Sequence, residues 1–334
     1  MHPNRQVKFP SLPEYWTPVT NVKELNKQKI LAIELDGIPI VFFRDRNGKA
    51  CALVDRCPHR SIKLSGGGVT KEGCIQCPFH GWQYDGQGNC THIPLNDAPN
   101  LKSVQASALP CQEIGGLLWV YTSTKMSDVP PLNQPDSLAS PEWYGNITER
   151  EWDTHWSRAT QTMLDVAHIP YVHPNTIGAA YGRALGKSKN PLLETEITKG
   201  EDDSFRLDWQ IKGDKESKAL DKGWLEFLPP NGLSLGIPTG SDRQLSLLHI
   251  WCVPIEENRS RMIVVSRRNF GRFNPILWLF NLLTPIILNE DRRNMDTTSP
   301  SEVPPLGYEV LMPTDAPTIE FCRYYQKHFH DRRS

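Results

Sequence analysis

Up to about residue 122 the chain alternates short apolar runs with tight turns. Residues 30–35 (ILAIEL) and 38–43 (IPIVFF) are rich in β-formers and flank Asp36-Gly37. That dipeptide suits a two-residue hairpin turn, whose central positions need positive φ. Residues 44–48 (RDRNG) turn the chain before a further apolar run at 50–54. Residues 83–88 supply a third turn, and 116–121 (GLLWVY) read as a buried strand. Gly66-Gly67-Gly68 marks a loop where the backbone must approach something closely or adopt positive φ. It lacks the spacing and following helix of a dinucleotide site.

The pattern changes after a polar stretch at 123–141 that carries Pro130, Pro131, Pro135 and Pro141 and reads as a linker. Beyond it, residues 152–171 fit a helix, and 178–190 form a loop rich in Gly, Ala and Lys. Strand-like stretches follow at 193–197, 204–211, 224–227, 245–253 and 261–267, and the chain turns helical across 275–295. The expected fold is α+β: a β-rich domain at 1–125, a linker at 126–141, and an antiparallel sheet with helices at 142–334. The longest apolar run, 275–288 (PILWLFNLLTPIIL), is fourteen residues broken by Asn281, Thr284 and Pro285. A spanning helix needs roughly 20 apolar residues, so this run reads as a buried helix kinked near Pro285. A pocket wall or a membrane-surface contact are its other readings.

The 334 residues suit two domains at roughly 150 each. Hydrophobic residues at 38% and charged residues at 22% can build real cores. With 37 basic against 38 acidic residues the net charge is −1, which argues against a nucleic-acid binder held by a basic face. Eight cysteines are too few for a disulfide-built scaffold. Residues 1–30 hold four prolines and no apolar stretch of signal-peptide length. Free or metal-bound thiols in the cytoplasm are therefore expected.

The sharpest feature is Cys57-Pro58-His59, seventeen residues, then Cys77-Pro78-Phe79-His80. Two thiolates and two imidazoles arrive on two short turns. A tetrahedral zinc site can be built from such a set, but zinc fingers pair cysteine with cysteine and histidine with histidine. Here each arm carries one of each, which suits a two-iron cluster with both cysteines on one iron and both histidines on the other. Nitrogen ligands raise the potential of such a cluster above that of all-cysteine ferredoxins. Cys74 precedes Cys77 by three and reads as an ordinary thiol; Cys51, Cys90, Cys111, Cys252 and Cys322 have no partner pattern.

Downstream, Asp165, His168 and His173 lie in DVAHIPYVH, with Pro170 and Pro174 breaking the helix. One helical turn separates Asp165 from His168, placing both on one face. Two histidines five apart, with a carboxylate from elsewhere, can form the facial triad of non-haem Fe(II). Glu290, Asp291 and Asp296 are the candidate carboxylates, and Arg292 and Arg293 would favour the charged form of one nearby. His2, His92, His155, His249, His328 and His330 show no ligand spacing.

Cys57-Pro58-His59-Arg60, Leu64-Ser65, Gly68, Cys77-Pro78-Phe79-His80-Gly81-Trp82, Asp85, Gly88, Cys90 and Ile93-Pro94 resemble the cluster domain of Rieske non-haem iron oxygenases. Residues 165–173 are similar to that family's iron-ligand motif. The resemblance implies a Rieske [2Fe-2S] cluster on Cys57, His59, Cys77 and His80, and a helix-grip catalytic domain binding mononuclear Fe2+ through His168, His173 and Asp291. It also implies a homotrimer, because cluster and iron in one chain are too far apart for electron transfer. Asp165 would then bridge His80 of one subunit to His168 of the next. The implied activity is a monooxygenase using O2 to hydroxylate or demethylate a small organic, cyclic substrate. Electrons would come from NAD(P)H through a separate ferredoxin or reductase; Arg60, Lys63 and Lys71 near the cluster arms read as solvated loop charges or as a contact for an acidic donor. The cluster region is similar to both chlorophyll-pigment oxygenases and aryl demethylases. Asn289 before Glu290-Asp291 and the polar residues 292–298 depart from the family pattern and bear on the pocket floor. Met163, Ile169, Tyr181, Trp251, Trp278 and Phe280 are pocket candidates, of a residue type that is more often simple core. The other reading is a Rieske electron carrier with a non-catalytic second domain.

Overall fold

A computed structural model describes residues 7–97, 99–125, 127–179, 192–212, 222–237, 245–272 and 282–330. The chain forms two compact units, Met1–Gln134 with Ile255–Glu257 and Pro135–Pro254 with Asn258–Ser334.

The first unit is built from three small sheets. One joins β1 (Trp16–Asn21) to β11 (Leu117–Tyr121) and β10 (Cys111–Ile114). A second runs in the order β2 (Ile30–Leu35), β3 (Ile38–Arg44), β4 (Ala50–Val54), β9 (Ala108–Leu109). The expected hairpin is present: Leu35 pairs with Ile38 across Asp36 and Gly37, at φ 53° and 74°. The third sheet, β5 (Gly68–Val69), β6 (Ile75–Gln76), β7 (Gln83–Tyr84) and β8 (Cys90–His92), carries one arm of the cysteine–histidine motif on its β6–β7 turn. Of the three loop glycines, Gly67 has negative φ, and close approach is what it provides: a Cβ there would lie 1.8 Å from the Gln76 carbonyl oxygen. Val41, Phe43, Leu53, Leu64, Ile75 and Tyr84 form the core, and Cys57 and Cys77 are part of it.

The second unit centres on a seven-stranded sheet in the order β12 (Ile147–Trp152), β18 (Arg259–Arg268), β17 (Ser246–Glu256), β16 (Gly232–Ile237), β15 (Lys222–Leu228), β14 (Phe205–Lys212), β13 (Leu192–Lys199). On β14 the side chains of Phe205, Leu207, Trp209 and Ile211 are buried and alternate with polar ones, the two-residue period of a strand with one covered face. That face meets α6 (Ala316–Tyr325), where Phe321 and Tyr324 stand edge-on to Phe227 at 5.4 and 5.0 Å. Helix α3 (Trp156–Leu164) packs Trp156 against Tyr325.

Three sequence expectations change here. Residues 152–171 are not one helix: Trp152 ends β12, α3 begins after His155, and Asp165 leaves the helix with φ −79° and ψ 118°. The His155 ring accepts the Ser157 N–H as an N-cap, and Pro170 opens the separate turn α4 (Ile169–Val172). Pro285 lies at the start of α5 (Thr284–Met295) and does not kink it, because a first-turn proline has no intrahelical bond to lose; residues 275–281 lie outside the described ones. Strands β12 and β16 escaped the reading, the first half-charged (ITEREW) and the second glycine-bearing (GLSLGI).

Those glycines have a packing reason. Trp209 pairs with Gly223, Trp224 with Gly236 and Trp251 with Gly232, always directly across neighbouring strands. Each indole lies where a Cβ on its partner would sit, within 2.3, 2.3 and 2.6 Å of ring atoms respectively. Cross-strand aromatic cover of a glycine pins register, since a one-residue slip moves the indole to the other face. Gly223→Ala and Gly236→Ala are each expected to lower stability by about 1–3 kcal/mol through overpacking. Chemical denaturation of the variants checks this; unchanged midpoints would show that the indoles move aside freely.

Candidate metal centres

The two arms of the first motif fold as matched loops. In one, the Cys57 N–H donates to the Ile62 carbonyl and the Ser61 N–H to the Cys57 carbonyl, both at 2.8 Å. In the other, Cys77 N–H donates to Trp82 at 2.8 Å and Gly81 N–H to Cys77 at 3.1 Å. Both place a proline after the cysteine and a positive-φ residue four beyond it, Ser61 at 58° and Gly81 at 71°. Buried Asp55 braces the first loop by accepting the Ser65 N–H and hydroxyl at 2.8 and 2.6 Å.

Cys57 and Cys77 are buried beside one another, whereas His59 and His80 are exposed with ring centroids 4.8 Å apart. Trp82 of one loop stacks on His59 of the other at 4.3 Å and 2°. Burial raises the pKa of the Cys57 thiol and neighbouring Cys77 adds to this, against a lowering by the Tyr84 hydroxyl, which sits 3.3 Å from its sulfur. Desolvation, His80 and Arg60 lower the His59 imidazole, favouring the neutral ligating form. The donors therefore gather as a sulfur pair and a nitrogen pair, not around one point as tetrahedral zinc requires. Among the described residues, three or more such donors converge elsewhere: His168, His173 and Asp291.

These three offer ligand atoms within 4.8 Å of one another. His168 and His173 flank the α4 turn, and Asp291 comes from α5, where Leu288 and Asp291 are the buried positions. Asp291 Oδ1 lies 3.0 Å from Nε2 of His173 and 3.4 Å from Nε2 of His168. It forms no aligned hydrogen bond to either, nor to another described residue. A buried carboxylate oxygen facing two imidazole nitrogens without bonding to them is what a shared cation satisfies. Burial would raise the Asp291 pKa, but the two imidazoles outweigh it and hold the carboxyl below its usual value. For His173 burial works downward and Asp291 and Glu290 win, raising it.

Asp165 sits at the edge of this group. Its Oδ1 accepts the Ala167 N–H at 2.7 Å, and its Oδ2 lies 3.8 Å from Nδ1 of His168. The proximity survives, but through a bend after α3 and not through one helical turn. A cavity of about 420 Å³ is lined by Asp165, His168, Asp291, Thr162 and Met295 and by the segment at Glu309, Val310 and Leu311. Arg158 fastens that segment through a two-point ion pair to Glu309 at 2.7 and 3.0 Å.

Arg292 reaches Asp296 and Asp153, at 3.1 and 3.2 Å, and not Asp291; neighbours on a helix do not face each other. Asp296 is thereby occupied away from the site. Glu290 turns to His173 and Thr176, at 2.8 and 2.7 Å. Trp251 covers Gly232, Met163 is buried, and Tyr181, Trp278 and Phe280 lie outside the described residues. His249, without ligand spacing, is held between Ser137 and Ser234 at 2.7 Å each, and burial lowers its pKa to about 4. All eight cysteines are free.

Two family models match the chain. Residues 15–110 match the Rieske [2Fe-2S] domain, and residues 152–329 match the vanillate O-demethylase oxygenase C-terminal domain. The second match covers more than half of the 334 residues. The chain belongs to the vanillate O-demethylase oxygenase family of Rieske proteins. Proteins similar to it include pheophorbide a oxygenase of Oryza sativa, 30% identical over 78% of this chain and 50% of that protein. Chlorophyllide a oxygenase of Arabidopsis thaliana is 28% identical over 85% and 51%. This chain spans about half the length of both. In fold it is similar to dicamba monooxygenase solved with dicamba, with a TM-score of 0.79 and 21% identity over 98% of this chain and 99% of the other. Among the described residues no helix is long and apolar enough to cross a membrane.

With Cys57 as a cluster thiolate, the Tyr84 hydroxyl 3.3 Å away would be its hydrogen-bond donor, and such a bond stabilises the reduced, more negative state. Tyr84→Phe is expected to lower the cluster potential by roughly 40 mV, about 1 kcal/mol for one electron. Protein-film voltammetry measures it, and an unchanged potential would remove Tyr84 from that role.

Proposed function

We propose that this chain is the oxygenase component of a monooxygenase system, which hydroxylates or oxidatively demethylates a cyclic organic substrate. The carrying observation is the convergence of His168, His173 and Asp291, whose ligand atoms lie within 4.8 Å of one another, with both imidazoles turning Nε2 to the Asp291 carboxylate. Cys57, His59, Cys77 and His80 would hold the [2Fe-2S] cluster, and His168, His173 and Asp291 would hold mononuclear Fe2+. When bound, these groups supply one-electron transfer and O2 activation.

The protein's own residues supply placement. Cys57 and Cys77, buried with Tyr84 in the core, would hold the cluster on its inner side, and exposed His59 and His80 would hold it towards a partner. Asp165, with its side chain 31% exposed and one oxygen 3.8 Å from His168 Nδ1, is suited to accept an imidazole N–H from outside. This supports a homotrimer in which Asp165 joins His168 to His80 of a neighbouring copy. A carboxylate accepting two ring N–H bonds fixes both tautomers and orientations. Three protein donors leave open positions beside the site for O2 and substrate. A ferredoxin or reductase drawing on NAD(P)H would supply the electrons, and the free thiols suit a reducing, cytoplasmic setting. Tetrapyrrole acids, named for two relatives, and methoxylated aromatic acids like dicamba are the first substrates to assay.

A plain electron carrier needs no triad, and iron counting separates the two readings. Anaerobically reconstituted protein is expected to hold three irons per chain, falling to two in His168→Ala. Two irons in both proteins would overturn the oxygenase reading. Asp165→Asn is expected to retain all three irons yet lose turnover by about 10- to 100-fold, the range for an outer carboxylate partner. Substrate-dependent O2 uptake measures this, and near-normal uptake would remove the bridging role.

A further inference from the structure

The geometry points to Glu290, held by Thr176, as the positioning carboxylate of the mononuclear site. It takes the Nδ1–H of His173 and so aims the Nε2 lone pair of that ring at the metal. This deepens the reading of His168, His173 and Asp291 as iron ligands and rests on it.

Glu290 Oε2 lies 2.8 Å from Nδ1 of His173 and 2.7 Å from the Thr176 hydroxyl. An ionised carboxylate only accepts, so the ring nitrogen and the hydroxyl must both donate to it. The opposite tautomer would set a ring lone pair against a carboxylate oxygen. His173 is 1% exposed, so bulk water does not reach the ring. At the other edge of the ring, Nε2 is 3.0 Å from Asp291 Oδ1. Two successive residues of α5 thus bracket one imidazole, because consecutive helical side chains project roughly 100° apart. The clamp is tied to the ring's own backbone, since the Thr176 N–H donates to the His173 carbonyl at 3.1 Å.

The two histidines are therefore held differently. Nδ1 of His168 has no hydrogen-bond partner among the described residues, with Asp165 at 3.8 Å. His173 is oriented by its own chain before any metal arrives, whereas His168 keeps an adjustable outer edge. An imidazole donating to a carboxylate is also a stronger ligand, and outer partners of this kind change metal affinity by about 10- to 100-fold.

Fe(II) affinity, measured anaerobically by chelator competition on the full chain with its [2Fe-2S] cluster loaded, tests this without turnover. Glu290→Leu is expected to weaken Fe(II) binding about 10- to 100-fold while the visible spectrum of the cluster stays unchanged. Glu290→Gln keeps an acceptor for Nδ1–H and is expected to restore most of that affinity. Thr176→Val, which removes only the brace, is expected to fall between wild type and Glu290→Leu, and it carries the test if Glu290→Leu fails to fold. Wild-type affinity in both Glu290→Leu and Thr176→Val, or Glu290→Gln no better than Glu290→Leu, overturns the positioning role. Asp291→Ala separates the two claims: if it too binds Fe(II) like wild type, the ligand assignment itself fails.

Discussion

A carboxylate almost removed from water, facing two imidazoles, is the constraint around which the second unit is arranged. Asp291 is 3% exposed. Leaving such a group without compensation costs several kcal/mol, so every element around it must deliver a partner to a fixed place. Helix α5 delivers the carboxylate by inserting it where an apolar residue would otherwise sit, three after buried Leu288 and four before Met295. The Met295 sulfur in turn accepts the Thr162 hydroxyl at 2.6 Å, joining α5 to α3. His168 and His173 come from the two ends of the short turn α4, which is separate from α3.

The first unit solves a different problem, that of presenting a redox group to the outside while keeping its sulfur ligands dry. Its answer is a repeated loop, closed at both arms by the same two backbone bonds and a left-handed residue four beyond the cysteine. Because the bonds are main-chain, the loop shape tolerates His at the second position of one arm and the third of the other. The side chains that differ are those that meet, His59 stacking on Trp82 across the two loops. Rigidity there comes from backbone closure and stacking, whereas at the second centre it comes from side-chain carboxylates.

Legibility from sequence followed the range of the interactions involved. The pairs Cys57 with His59, Cys77 with His80 and His168 with His173 were readable because short turns bring residues two to five apart into one place, whatever the rest of the fold does. The β2–β3 hairpin was readable for the same reason. What escaped were arrangements decided across space. Strand β16 looks too glycine-rich until Trp224 and Trp251 are seen to cover its glycines. The end of α3 depends on Asp165 satisfying the Ala167 N–H, a local competition that an apolar pattern does not show. Arg292 does meet a nearby carboxylate, but it is Asp296 one helical turn on and not the adjacent Asp291.

The choice among Glu290, Asp291 and Asp296 nevertheless had a signal that the periodicity carries. On a helix whose inward stripe includes Leu288 and Met295, position 291 completes the i, i+3, i+7 row, whereas 290 and 296 fall off it. A charged residue in an apolar stripe demands a compensating partner, and two histidines supply it. Glu290, one step round the helix, lies at the border of that stripe, where it can reach the outer edge of a ring that Asp291 meets from the inner edge. A one-residue change of register in α5 would exchange a buried acceptor for a peripheral one and disconnect both from His173. The proline at the start of α5 and the insertion of Leu288 are thus part of the metal chemistry, because they set which of two adjacent carboxylates faces inward.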